Sequence, residues 1–143
     1  MELQLHFDEQ VMKQYYDRGS PVLFRIYWTH NNTAYPSNNW TDFGAVILSW
    51  WLRAAQQMMQ GSQREEFLFM DGPFALYGQR NEDQIVFSTR RSPDQWTTTL
   101  EEFASEIIAG AESVIAELAR LEIGEADQNS LRTGARALRA FLH

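Results

Sequence analysis

One helix-forming segment, which begins near Thr41 or Asp42 and ends before Gly61, limits the folds that this chain can adopt. A rotation of about 100° per residue places its apolar side chains over more than half of the helix circumference. The remaining polar stripe is narrow and consists of Ser49, Arg53, Gln56, Gln57 and Gln60. Such a helix needs cover on two sides, so we expect it at the centre of the fold, packed against a sheet. Trp50 and Trp51 are both predicted to lie in the core, and replacing Trp50 by Ala is expected to cost about 3–5 kcal/mol.

The segments on either side of this helix carry alternating strand and helix patterns. Strands are predicted at 3–7, 22–29, 67–70, 74–77 and 85–89, and further helices at 9–17, at 100–123 and after a cap at Asp127 or Asn129. The turn residues 71–73 join two of these strands in an antiparallel meander. Thr98 or Thr99 can cap the long helix together with a Glu three residues later. We therefore predict an α+β fold, with a mostly antiparallel sheet, one buried helix and a C-terminal helical pair in a single domain over residues 1–143.

The composition disfavours several kinds of site. The 143 residues include no cysteine and carry a net charge of −7, which opposes direct binding to nucleic acid phosphates. The histidines His6, His30 and His143 have no partner at metal-ligand or catalytic spacing, so we expect no metal, no cofactor and no catalysis. Glu2 stands where a secretion signal would carry a cation, and the longest apolar run, 45–52, is too short to cross a membrane. We expect a cytoplasmic protein without membrane contact, and any charged partner should be basic.

The predicted helix at 100–123 carries the first candidate surface for a partner. Glu102, Glu106 and Glu117 fall within about 60° of one another, opposite the apolar stripe. Glu102 and Glu106 are both expected to be exposed. The last helix carries three arginines on one face, which are Arg132, Arg136 and Arg139. The glutamates are therefore either a partner-binding surface or one half of a set of ion pairs between the two helices.

The polar segment from His30 to Trp40 carries the second candidate surface. It is predicted to be an Asn-rich loop, in which periodicity cannot assign Tyr35 or Trp40 to the core. Large aromatic side chains in a surface loop are typical binding anchors, and the alternative is that they pack back over a sheet edge. The loop also contains Asn38 and Asn39, whose amides suit a site for a small ligand.

Two apolar segments near the middle of the chain carry a family resemblance. They read WTDFGAVILSWW at 40–51 and FLFMDGPF at 67–74. Together they resemble small bacterial immunity proteins that are encoded beside polymorphic or contact-dependent toxins. The resemblance implies a non-enzymatic protein that binds a cognate toxin domain, often a nuclease, and blocks its active site. It covers roughly the middle third of the chain and transfers no toxin-contacting residue to this sequence.

The function expected from these features is binding and neutralisation of a cognate toxin protein, such as a basic nuclease. The candidate contact residues are Glu102, Glu106, Glu117, Tyr35 and Trp40. Two alternatives remain open, namely a small enzyme or ligand-binding domain that uses residues 30–40, and a structural subunit of an assembly. A pocket that holds His30 against a carboxylate would favour the first of these alternatives.

Overall fold

The computed structural model describes residues 1–142, in which four helices and eight strands share one hydrophobic core. The strands are β1 (Glu2–His6), β2 (Phe24–His30), β3 (Thr33–Tyr35), β4 (Thr41–Asp42), β5 (Arg64–Leu68), β6 (Ala75–Asn81), β7 (Gln84–Ser88) and β8 (Trp96–Thr99). The helices are α1 (Glu9–Asp17), α2 (Gly44–Met59), α3 (Leu100–Leu121) and α4 (Glu125–Arg139). None of these four helices is long and apolar enough to span a bilayer. His143 lies outside the described residues.

The strands form two antiparallel sheets, which confirms the α+β class but divides the single sheet expected from the sequence. In the first sheet, β2 lies between β1 on one side and β3 and β4 on the other. The second sheet is the meander β5–β6–β7–β8. Strand β8 is absent from the sequence prediction, because its threonines also fit a helix cap. Pairing with β7 holds these residues in an extended conformation.

Helix α2 lies at the centre of the molecule, as its apolar circumference predicts. It packs against β5, α3 and α4, and Trp51 on its buried side is fully enclosed. Trp50 is 40% exposed, so its assignment to the core is wrong. On the helix surface Trp50 lies about 40° beyond Ala54, which is the last buried residue on that side. The apolar arc read from the sequence was therefore wider than the arc that the neighbouring elements cover.

The two C-terminal helices form the predicted pair. Helices α3 and α4 pack against each other, and Thr99 is the N-cap of α3. The Thr99 hydroxyl accepts the Glu102 N–H at 3.0 Å, as the capping sequence predicts. Helix α4 begins at Glu125, earlier than either predicted cap, because Gly124 turns the chain directly into it with a left-handed backbone at φ 65°.

Gly44, the first residue of α2, allows Phe24 of β2 to pack directly on the helix. A Cβ atom at this position would lie 2.1 Å from two ring carbons of Phe24. Gly44→Ala is therefore expected to lower the free energy of unfolding by about 1–3 kcal/mol, because this buried ring has no room to move aside. Urea denaturation followed by circular dichroism measures the loss. Gly110→Ala is the matched control, since its Cβ would come nearest to the flexible end of the Leu3 side chain. An equal loss in both variants would contradict the packing argument.

Candidate functional site

The carboxylate of Asp42 joins the start of α2 to the β5–β6 hairpin. Asp42 is the only charged side chain within residues 1–142 that is fully buried. Its oxygens accept the backbone N–H groups of Phe43 at 2.7 Å, Met70 at 3.1 Å and Asp71 at 3.2 Å. The indole Nε1 of Trp40 donates to the same carboxylate at 2.9 Å. The sequence predicts Thr41 or Asp42 as the cap of α2, but the N-cap is Phe43 and no side chain caps the helix. Asp42 instead connects two distant segments of the chain.

Tyr35 supports the same hairpin from the first sheet. Residues 30–40 are not a simple loop, because Asn31 and Asn32 form a tight turn with φ 48° and 65° between β2 and β3. Tyr35 is buried, and its hydroxyl donates to the Ala75 carbonyl at 3.0 Å and accepts the Ala75 N–H at 3.1 Å. The ring thus packs inward over the sheet edge and is not available as an exposed anchor.

Trp40 also packs against the hairpin. Its half-buried ring lies edge-on to Phe74, with the centroids 4.9 Å apart, while its N–H bonds to Asp42. Both aromatic residues that the sequence nominates as partner contacts therefore lie behind the hairpin and hold it in place. The two segments that carry the family resemblance, 40–51 and 67–74, meet at this corner. Their apolar character is accounted for by this packing.

The hairpin ends in an exposed tip, which we define as residues 70–73. Met70 is 47% exposed, and the three residues after it are exposed as well. Leu68, at the end of β5, is 42% exposed. The Phe69 N–H donates to the Phe74 carbonyl at 3.0 Å and closes the loop. The tip therefore presents apolar side chains to solvent on a backbone that is held at both ends.

The three glutamates predicted on one face of α3 have different surroundings. Glu117 is half-buried and pairs at 2.5 Å with Arg120 of its own helix. Glu106 is also half-buried and accepts the Leu3 N–H at 2.9 Å, so the expectation that it is exposed is wrong. The cause is the packing of α3 beside the edge of β1. Glu102 is exposed, as predicted.

Ion pairing between the two C-terminal helices involves one of the three predicted arginines. Arg139 of α4 pairs with Glu112 of α3. Arg132 instead donates to Asn129 of its own helix at 3.0 Å. Internal ion pairs thus neutralise glutamates in the second half of α3. The acidic residues of its first half form no ion pair within the described part of the chain.

Glu102 and Glu106 line a groove of about 1030 Å³ at the N-terminal end of α3, which we call the acidic groove. Three further carboxylates line it, those of Glu2, Asp83 and Glu101. Its apolar lining consists of Met1, Met59, Leu100, Phe141 and Leu142. None of the five carboxylates takes part in an ion pair within residues 1–142. The structure thus brings two of the predicted residues and their helix neighbour Glu101 together with Glu2 and Asp83, which sequence periodicity could not associate with them.

Arg80 supplies the guanidinium that lines the acidic groove, and it is directed to backbone oxygens. Its Nη1 donates to the Met58 carbonyl at 2.6 Å and its Nε to the Glu82 carbonyl at 2.7 Å. Glu101 and Glu102 lie in the first turn of α3, where the helix dipole favours negative charge. The other three carboxylates come from outside that turn. The helix dipole therefore favours the charges of Glu101 and Glu102 but does not account for the other three carboxylates in the groove.

A second groove contains His30 and belongs to the ligand-binding alternative. Its lining also includes Glu2 and Asn38. The His30 ring lies 5.4 Å from the Trp96 ring, centroid to centroid, and burial lowers the pKa of its imidazole below the usual 6.5. No hydrogen bond joins His30 to a carboxylate among the residues that the structure describes. The His–carboxylate pair that would favour an enzyme is therefore not formed in this part of the chain.

Two further findings bear on the kind of site. Within residues 1–142, no three His, Asp or Glu side chains are grouped in a way that could hold a metal ion. Comparisons of the chain with protein-family models, with curated proteins and with solved structures found no match. The expectations about family, cofactors and catalysis therefore stay predictions, and the acidic groove is the candidate site.

Proposed function

We propose that this chain is a cytoplasmic immunity protein, which binds and neutralises a cognate bacterial toxin domain and has no catalytic activity of its own. The acidic groove is the observation that supports this function best. Its five carboxylates, which lack an ion pair within residues 1–142, line it together with five apolar residues in a chain of net charge −7. Carboxylates placed together repel one another, so a basic partner that neutralises them is favoured.

A protein with a basic surface fits the acidic groove better than a nucleic acid does. Nucleic acids present phosphates, which these carboxylates repel. Lys and Arg side chains offer charged ends for the carboxylates and apolar stems for apolar lining residues such as Met59 and Leu142. A nuclease toxin is a partner of this kind, because it needs a basic surface to bind its own substrate.

Co-expression tests the proposed function. The reading frames beside the gene are searched for a toxin domain, which is then expressed with and without this chain in the same bacterial strain. We expect growth arrest with the toxin alone and normal growth when both proteins are present. The purified proteins should also form a stoichiometric complex. Growth arrest that this chain does not relieve would reject the immunity function.

Neutralising two carboxylates of the acidic groove is expected to slow association with that toxin domain. Glu101→Gln combined with Glu102→Gln removes two charges and leaves Glu106 in its bond to Leu3. We expect an association rate about three- to tenfold lower at low salt, with a flatter salt dependence, because exposed charges act mainly on encounter. Stopped-flow tryptophan fluorescence measures this rate.

The matched control is Glu122→Gln combined with Glu125→Gln. Both residues are exposed, and the pair removes the same charge roughly 30 Å away along α3. A general effect of net charge would slow the two double variants equally and would contradict a role of the groove. Both should keep the circular dichroism spectrum of the parent chain. Their stabilities should fall by no more than about 1–2 kcal/mol, because Glu101, Glu102 and Glu125 lie in first helical turns that favour negative charge.

A further inference from the structure

We propose that the exposed hairpin tip, residues 70–73, is the anchor that holds the toxin domain after encounter. Met70 enters an apolar pocket of the partner, and Asp71 faces a Lys or Arg beside that pocket. This inference rests on the proposed function and adds to it the contact element and the chemistry of the surface that this element meets.

The backbone of the tip is held at both ends by buried polar side chains. Asp42 accepts the N–H groups of Met70 and Asp71, and the Tyr35 hydroxyl makes two hydrogen bonds to Ala75. A loop that is already ordered loses little conformational entropy when a partner binds it. The tip is therefore suited to rigid recognition of a matching pocket.

The tip is held by a buried carboxylate, which stability alone does not require. A buried carboxylate without a cation is costly to desolvate, and well-packed apolar residues of similar volume are often at least as stable. Asp42 has no ion-pair partner within residues 1–142. The carboxylate fixes the position of Met70 and Asp71 by accepting their N–H groups, which an apolar side chain could not do. That position matters most if the tip contacts a partner.

The tip exposes the type of side chain that protein interfaces bury. Met70 in the tip is 47% exposed, and Leu68 at the adjoining end of β5 is 42% exposed. Within the described residues, Tyr16 and Trp50 are the other large apolar side chains of comparable exposure. Methionine is enriched at interfaces, since its flexible thioether fills pockets of irregular shape. Asp71, directly beside it, favours a pocket that is bordered by a cation.

The tip and the acidic groove lie at opposite ends of β6, a strand of 7 residues, and so are separated by roughly 20 Å. A standard interface is roughly 30 Å across, so this separation does not exceed the span of one interface. Substitutions this far apart act independently of each other. They also affect different rate constants, because exposed charges act on association and a desolvated anchor acts on dissociation.

Met70→Asp tests the anchor, with Tyr16→Asp as the matched control, since Tyr16 is 43% exposed on α1. The probe is the toxin domain identified by co-expression, and surface plasmon resonance measures both rate constants. We expect Met70→Asp to raise the dissociation rate at least about tenfold and to change the association rate less than about threefold. Tyr16→Asp should leave both rates unchanged. Met70→Ala repeats the test without a new charge.

Three outcomes separate this inference from the proposed function. An unchanged dissociation rate in Met70→Asp and Met70→Ala would overturn the anchor, while the immunity function would stand as long as the parent chain protects cells. Equal acceleration by Met70→Asp and Tyr16→Asp would also overturn it, because that result indicates a general effect of added charge. Failure of the parent chain to protect cells would reject the immunity function and the anchor with it.

Discussion

Trp51→Ala is expected to lower the free energy of unfolding by about 3–5 kcal/mol. Trp51 is fully buried, and its ring centroid lies 5.7 Å from that of Trp28 and 5.2 Å from that of Phe69. Its Nε1 donates to the Leu68 carbonyl at 2.8 Å, so the substitution leaves both a cavity and an unpaired oxygen on the edge strand β5. A loss of this size is a large part of the stability of a small domain. Urea titration followed by far-UV circular dichroism measures it.

Trp50→Ala is the control, because it removes the same side chain from the adjacent position. Trp50 is 40% exposed, so we expect a loss below about 1 kcal/mol. The difference between the two variants reports the orientation of α2 about its own axis. Similar losses in both would show that this orientation is wrong.

Asp42→Ala is expected to lower the free energy of unfolding by about 2–4 kcal/mol. The substitution leaves the N–H groups of Phe43, Met70 and Asp71 and the indole N–H of Trp40 without their acceptor in a partly buried corner. Urea titration measures the global loss. Amide hydrogen exchange adds a local measurement, in which Met70 and Asp71 should lose more protection than the strands do.

Asp94→Ala is the matched control for the loss of a carboxylate. Asp94 is exposed in the loop before β8, and we expect its replacement to change stability by less than about 0.5 kcal/mol. If the Met70 and Asp71 amides stay as protected in Asp42→Ala as in the parent chain, other contacts hold the tip. The account of Asp42 as its support would then be wrong.

The sequence was sufficient for features whose signals are local. The apolar circumference of the segment before Gly61 placed α2 at the centre, and the turn at 71–73 predicted the hairpin. The sequence was insufficient to determine the rotation of α2 about its own axis to within about 40°. This is the angle by which Trp50 lies outside the buried arc. Periodicity identifies an apolar arc, but the packed neighbours decide how much of that arc is covered.

The candidate site depended on contacts between residues far apart in the chain. Glu106 bonds to Leu3, which is 103 residues away, and Asp42 bonds to Met70 across 28 residues. No pattern within a single segment predicts either contact. The sequence therefore nominated Tyr35 on chemical type alone, and the structure places it behind the hairpin tip as a support.

The bond between the Leu3 N–H and the Glu106 carboxylate also affects aggregation. Among the described residues, β1 is an edge strand whose only strand partner is β2, and open N–H groups on such an edge can recruit a strand from another molecule. The carboxylate occupies one of these groups and adds negative charge to the edge, while the Trp51 indole occupies the Leu68 carbonyl on the edge strand β5. Each of the two contacts thus removes one backbone group from a strand edge that could otherwise pair with a strand of another molecule.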